Sequence, residues 1–320
     1  MRRLIIGFAL VLIFAGNAQA DVVVLKNDDQ LTLDSYLWDG LDLYDTSQVS
    51  IIPGGYVSIG LNSYDSSTVN ISGGLVRTLK AYGSSNVKMS SGSSDGYISV
   101  NGSSTGNISG GSVKYSFYVR DYGTLDLSGG VISSNLHAQN FSTVDISGGT
   151  IRKWLYAIDS STVNMSGGSA VWLDVRDSST LTLNVREFEL VGLGLSMDGE
   201  RLLGTGTINC EWVDATSSAM SVATNSGAGI FISIVMDGDA NCDGVVDEKD
   251  AALLAANWQT LTGATWRQGD FNADGAVNDI DATLLAANWQ SGEGTANVPE
   301  PTTLLMLVMG AAALLVFRRR

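Results

Sequence analysis

Residues 67–74 read STVNISGG, and nearly the same eight letters return as GTLDLSGG at 123–130, STVDISGG at 142–149 and STVNMSGG at 161–168. One apolar column runs through the copies: Leu33, Ile52, Ile71, Met89, Ile108, Leu127, Ile146, Met165 and Leu183, in steps of 18 or 19 residues. A fixed period implies a fixed physical unit. Within it, Val69 and Ile71 alternate with Thr68 and Asn70, the pattern of a strand with one buried face, and Gly73-Gly74 then forces a bend. A second short apolar position follows (Val76, Val113, Ile132, Ile151). Next come the alternating pairs Leu79 and Ala81, Phe117 and Val119, Leu136 and Ala138, Leu155 and Ala157, Leu173 and Val175. Asp121, Asn140, Asp159 and Asp177 stand two residues later.

Three short strands and three turns make one coil. The expected fold class is therefore mainly β: a right-handed parallel β-helix of about nine 19-residue coils. Leucine-rich repeats need an L-x-x-L-x-L frame that is missing, and helical repeats need longer units. At a spacing of about 4.8 Å per coil, nine coils give a rod of about 40 Å, with like residues stacked on like. The Asp and Asn column becomes a ladder at one corner. From 185 to 236 the period fades into Gly-rich β patterns, read as irregular last coils and a cap.

Both ends read as address labels. Residues 1–20 carry Arg2 and Arg3, an apolar run and Ala18-Gln19-Ala20, the layout of a secretory signal peptide. At the other end Pro299-Glu300-Pro301 precedes an apolar run over 304–317 and three arginines. Fourteen apolar residues span about 21 Å as a helix, short for a bilayer core unless neighbours extend it. The motif, apolar helix and basic end resemble the PEP-CTERM sorting signal. That resemblance implies an exosortase-type sorting enzyme as partner, a C-terminal transmembrane sorting helix held transiently in the cytoplasmic membrane, and delivery to the cell envelope, outer surface or extracellular matrix.

Five of the 18 basic residues lie at the two ends, so the 13 that remain face 33 acidic ones, about −20 in net charge. Such a surface repels phosphate backbones and excludes nucleic acid as a natural partner. It suits divalent cations. The two cysteines, Cys210 and Cys242, are too few for a disulfide framework; export permits either a bridge between them or two free thiols.

Two stretches 31 residues apart place acidic side chains on alternate positions of a short loop and follow it with an apolar helix. In a twelve-residue calcium loop, oxygen ligands stand at positions 1, 3, 5, 7, 9 and 12 with glycine at 6. Asp239, Asn241, Asp243, Val245 (by its carbonyl), Asp247 and Asp250 fill that frame around Gly244. Asp270, Asn272, Asp274, Ala276 (by its carbonyl), Asn278 and Asp281 fill it again around Gly275. An all-oxygen donor set suits Ca²⁺, two ions in all, rather than zinc or copper. Asp at position 12, a helix after each loop but none before it, and two tandem copies resemble the type I dockerin module over about 237–290. The resemblance implies two calcium ions and a cohesin-like partner recognised near positions 10 and 11. Those places hold Glu248, Lys249, Asp279 and Ile280, not small hydroxyl residues, which leaves a calcium-rigidified spacer or an envelope polysaccharide partner as alternatives. The following helices are expected to pack antiparallel through Leu253, Leu254, Trp258, Leu284, Leu285 and Trp289.

For catalysis the repeat offers one carboxylate pair. Asp126 and Asp145 are 19 residues apart on the same outward position of adjacent coils, a separation of about 5 Å, near that of retaining glycosidases. Their column neighbours Asn107 and Asn164 make it an ordinary polar ladder, and His137, the only histidine, has no partner recognisable in sequence. The uniform coils lack long loops that would wall a substrate groove. The expected organisation is a signal peptide at 1–20, a β-helix with cap at 21–236, a dockerin-like calcium-binding domain at 237–292, a linker at 293–303 and a sorting helix with basic tail at 304–320. The expected function is an exported, non-catalytic scaffold or adhesion protein, against the alternative of a polysaccharide lyase or glycoside hydrolase docked through its dockerin.

Overall fold

The structure is a computed structural model that describes residues 22–290, apart from 193, 213, 215 and 225–228, and the backbone of Arg3–Ile5. Residues 22–234 wind into a β-solenoid of about nine turns. Only two α-helices follow among the described residues, α1 (Glu248–Ala256) and α2 (Asp279–Ala287). No described helix is long and apolar enough to cross a membrane. The expected sorting helix, the linker with Pro299, Glu300 and Pro301, and all of 1–20 except Arg3–Ile5 lie outside the described residues.

The repeated STVNIS segments build the first face. Its strands lie parallel and in register, with Val69 opposite Val87, Ile71 opposite Met89, and Asn107, Asp126, Asp145 and Asn164 side by side. Alternation sends Val69 and Ile71 inward to full burial and leaves Asn70 outside. Each such aliphatic side chain contributes about 1.5–3 kcal/mol relative to exposure. One position of the expected column is corrected: Ile51, not Ile52, faces inward, pairing with Leu33 and Ile71. The next corner, Pro53-Gly54-Gly55, is one residue longer than the usual Gly-Gly corner, so the column steps by 18 and then 20 there. At Gly106 the inward side chain is missing, and the ring of Phe117 occupies the space: a Cβ on Gly106 would meet Phe117 Cζ at 3.6 Å and Leu125 Cδ1 at 3.2 Å.

The second face is two residues wide, as in Val131–Ile132, and the third carries Leu79–Ala81, Phe117–Val119, Leu136–Ala138 and their equivalents, whose first and last residues are buried. After the third face the chain turns through a left-handed residue in nine consecutive coils, from Asn27 to Asp177. Asn27, Asp45, Asp65, Asp121, Asn140, Asp159 and Asp177 have φ between 55° and 65°, and Gly83 and Gly102 take the same place at 69° and 68°. Short polar side chains tolerate this conformation. Here they also use it: Asp121 accepts the Gly102 N–H (3.1 Å) and Asp159 the Asn140 N–H (2.9 Å) of the preceding coil. Two residues on, the serine of "STV" is buried in column (Ser47, Ser67, Ser85, Ser104, Ser142, Ser161, Ser179). Several of its hydroxyls donate back to a carbonyl at the same corner, Ser67 to Tyr64 at 2.7 Å and Ser179 to Arg176 at 2.6 Å. The Gly-Gly corner has a simpler cause: a Cβ on Gly148 would lie 2.4 Å from the Ser128 carbonyl oxygen below it.

The fading period marks a change of strand direction. Thr180–Val191 runs on past the face, and Arg201–Trp212 returns antiparallel to it and to Ser217–Thr224. Parallel stacking then resumes, Gly229–Ile234 on the first face and Ser217–Thr224 on the third. Trp212, Met220, Ile208 and Cys210 plug the end.

The C-terminal module has its own core of Val235, Ala240, Val246, Leu254, Trp266, Phe271, Val277 and Leu285. Leu254 and Leu285 are buried as expected, but Trp258 and Trp289 remain 41% and 44% exposed. Their place is taken by Trp266 and Phe271, whose rings meet edge to face at 5.2 Å. The module meets the solenoid at Arg186, which pairs with Asp237 at 3.5 Å and lies 5.8 Å from the centre of the Trp266 ring.

Candidate metal centres and the outer faces

Both acidic loops adopt the same backbone. Gly244 (φ 85°) and Gly275 (φ 84°) make the sharp turn at position 6. Asp239 accepts the N–H groups of Asp243 (3.1 Å) and Gly244 (2.9 Å); Asp270 accepts those of Asp274 (3.1 Å) and Gly275 (2.8 Å). At position 12, Asp250 accepts from Asn241 (3.1 Å) and Asp247 (2.9 Å), and Asp281 from Phe271 (2.8 Å) and Asn278 (2.9 Å). Asp247 and Asn278, at position 9, are the N-caps of α1 and α2, and Asp250 and Asp281 complete the capping boxes. The residues that frame each loop therefore also start the helix behind it.

Asp239, Asp250, Asp270 and Asp281 are almost completely buried. Burial pushes the carboxyls of Asp239 and Asp270 above the ordinary range, and like charges at positions 5 and 12 add to it, against the N–H bonds that favour the charged form. Asp243 goes the other way: despite some burial, the hydrogen bond from Lys249 Nζ (3.1 Å) holds it low. The equivalent of Lys249 in the second loop is Ile280, 55% exposed, which supplies no cation. The carbonyls of Val245 and Ala276 accept no hydrogen bond among the described residues, which leaves them available at position 7. No three His, Cys, Asp or Glu side chains converge on one point among the described residues; the carboxylates are turned to the loops' own N–H groups. The fit to a hard divalent cation rests on the all-oxygen donors, their burial and the free carbonyls.

Asp126 and Asp145 are neighbours in register on the first face, and Asn164 donates to Asp145 at 2.8 Å. A shallow cavity of about 570 Å³ borders Asp126 together with Asn70, Lys88 and Asn107, but does not reach Asp145. His137 is stacked between Tyr118 and Tyr156 at 4.8 Å from each. Burial, with the Arg120 charge, lowers its pKa to about 4, so it is a neutral member of an aromatic ladder. Cys210 and Cys242 are both free: Cys210 belongs to the solenoid cap and Cys242 packs against the module core, so the bridge is not formed. Burial pushes both thiols up to about 12.

Residues 237–295 match the model of the dockerin type I domain, and residues 297–320 match that of the PEP-CTERM protein-sorting motif. No curated protein and no solved structure matches the chain. Type I dockerin domains typically bind calcium and imply cohesin-type partners, while the PEP-CTERM motif implies exosortase processing. The chain is an exported, cell-envelope-associated protein in which a β-solenoid over 22–234 carries a type I dockerin domain and a PEP-CTERM sorting motif.

Proposed function

We infer that this protein is a non-catalytic scaffold: a right-handed solenoid rod that holds a calcium-loaded dockerin module away from the envelope. A signal peptide at 1–20 starts export. The tail behind Pro299-Glu300-Pro301 rests briefly in the cytoplasmic membrane until an exosortase-type enzyme cuts near the motif. The right-handed wind follows from the general hand of parallel crossovers. Two calcium ions, one for each loop, neutralise the buried carboxylates.

The observation that carries this reading is the pair of near-identical acidic loops, each closing on the N-cap of its own helix. Calorimetric titration of calcium into the chelator-stripped chain is expected to saturate at two ions per molecule, and no saturable heat would overturn the calcium part. The cohesin-type partner is less closely specified, because Glu248, Lys249, Asp279 and Ile280 present two acids, a base and an apolar side chain at the recognition positions. Pull-down with cohesin modules of several types tests it.

One observation favours the rival enzyme: Asp126 borders a cavity and is in register with Asp145, which that cavity does not reach. The bond from Asn164 to Asp145 favours the polar-ladder reading instead. The scaffold reading expects no product from a panel of acidic and neutral polysaccharides. Cleavage that disappears in Asp126→Ala with Asp145→Ala would establish the enzyme.

A further inference from the structure

The serine after each inward residue of the first face forms an outer column: Ser72, Ser90, Ser109, Ser128, Ser147, Ser166. The cavity of about 570 Å³ runs along its first four members, and a second cavity of about 440 Å³ runs along its last three. They meet at Ser128, and together they follow the serine column over six coils as a trough about 24 Å long at about 4.8 Å per coil, in two adjoining parts. The outward side chains Asn70, Lys88, Asn107 and Asp126 wall its first half. Asp214 and the dockerin residues Thr265, Trp266 and Arg267 close the other end. Ser166, 8% exposed, lines the closed end, and its hydroxyl has no hydrogen-bond partner among the described residues. Ser109, Ser128 and Ser147 are exposed and have no side-chain hydrogen bond either.

We propose that this trough binds a neutral polysaccharide chain lying along the rod, with its leading end against the dockerin module. The serine hydroxyls repeat once per coil and, with the amides of Asn70 and Asn107, both donate and accept, as a polyhydroxylated chain requires. The strands beneath are hydrogen-bonded on both sides, leaving no edge for a peptide to extend. The acidic surface disfavours an anionic polymer. The aromatic ladder on the third face is a poorer sugar platform: Tyr118, His137 and Tyr156 stack on one another and present edges to solvent. The site goes beyond the scaffold reading and gives the rod a ligand of its own.

The test uses the full chain with calcium and, as probes, cellohexaose, xylohexaose, mannohexaose and hexagalacturonate. At least one neutral hexasaccharide is expected to bind saturably in calorimetry. Ser128→Tyr with Ser147→Tyr, which fills the trough from exposed positions, is expected to weaken it at least tenfold, and Tyr122→Ser on another corner to leave it unchanged. Should the double variant melt lower than wild type, Ser109→Tyr alone serves, with at least threefold weakening expected. Binding of hexagalacturonate only, binding of no neutral probe, or undiminished binding by a folded trough-filled variant overturns the site. Release of shorter sugars from a bound neutral probe supports the site and overturns the non-catalytic reading instead.

Discussion

Asp159 holds a backbone conformation that an L-residue rarely adopts (φ 65°) and turns it into a bond to the coil before. Removing the carboxylate while keeping a Cβ exposes both costs. Asp159→Ala is expected to lower stability in urea by about 1–3 kcal/mol, Asp159→Gly by less because it relieves φ, and Asp159→Asn least. His137 gives a pH signature. Its folded pKa of about 4 lies below the unfolded 6.5, so between these values the unfolded chain binds a proton that the folded chain does not. Its contribution is complete above pH 6.5 and is lost as pH falls toward 4. For a half-buried ring this amounts to about 1–2 kcal/mol after solvent screening. His137→Phe keeps the stack and is expected to flatten that part of the stability–pH curve. The Asp and Asn ladder was legible as a column of letters. Its left-handed geometry becomes visible only when Gly83 and Gly102 are seen to occupy the same register. The serine of "STV" is the buried clasp of the corner, a role that period-two alternation does not reveal because it cannot show where a strand begins.

At the scale of elements, each acidic loop and the helix behind it form one unit through Asp247 and Asp250, or Asn278 and Asp281. Chelation is expected to reduce helical ellipticity and to lower the melting of the module ahead of the solenoid; an unchanged curve would contradict the coupling. Lys249 occupies oxygens of Asp243 and Asp247 that belong to the ligand frame. Lys249→Ile, which makes the first loop like the second, is expected to tighten calcium at that loop several-fold in calorimetry. The twelve-residue frame was readable because ligand spacing is local. The module core was not: helical spacing grouped Trp258 and Trp289 with the leucines, but it cannot say which half of that face a neighbour covers. Trp266, at the start of a short 3-10 turn (Trp266–Gln268), and Phe271, inside the second acidic loop, fill it, and neither stands in a periodic pattern.

For the whole molecule, the repeat told the fold class and the number of coils, since stacking makes each unit's pattern visible in the next. It missed Ile51 where the corner lengthened, and it could not anticipate that the last coils are finished by antiparallel strands. The contact of Arg186 with Asp237 and Trp266 is equally non-local. Arg186→Ala is expected to speed proteolytic cutting between solenoid and module while leaving the melting of the solenoid unchanged.

The two ends of the rod differ. On the third face Val22–Leu25 pairs with Gly40–Leu43 on one side and with no other strand among the described residues, whereas on the first face Arg3–Ile5 already covers Gln30–Leu33. The far end is sealed by the returning strands and Trp212. A strand of a second molecule can therefore add at the third-face edge of this terminus but not on its first face, and once two such edges meet, neither partner offers another such edge among the described residues. Association along this axis stops at pairs, and sedimentation of concentrated protein should reveal no filaments.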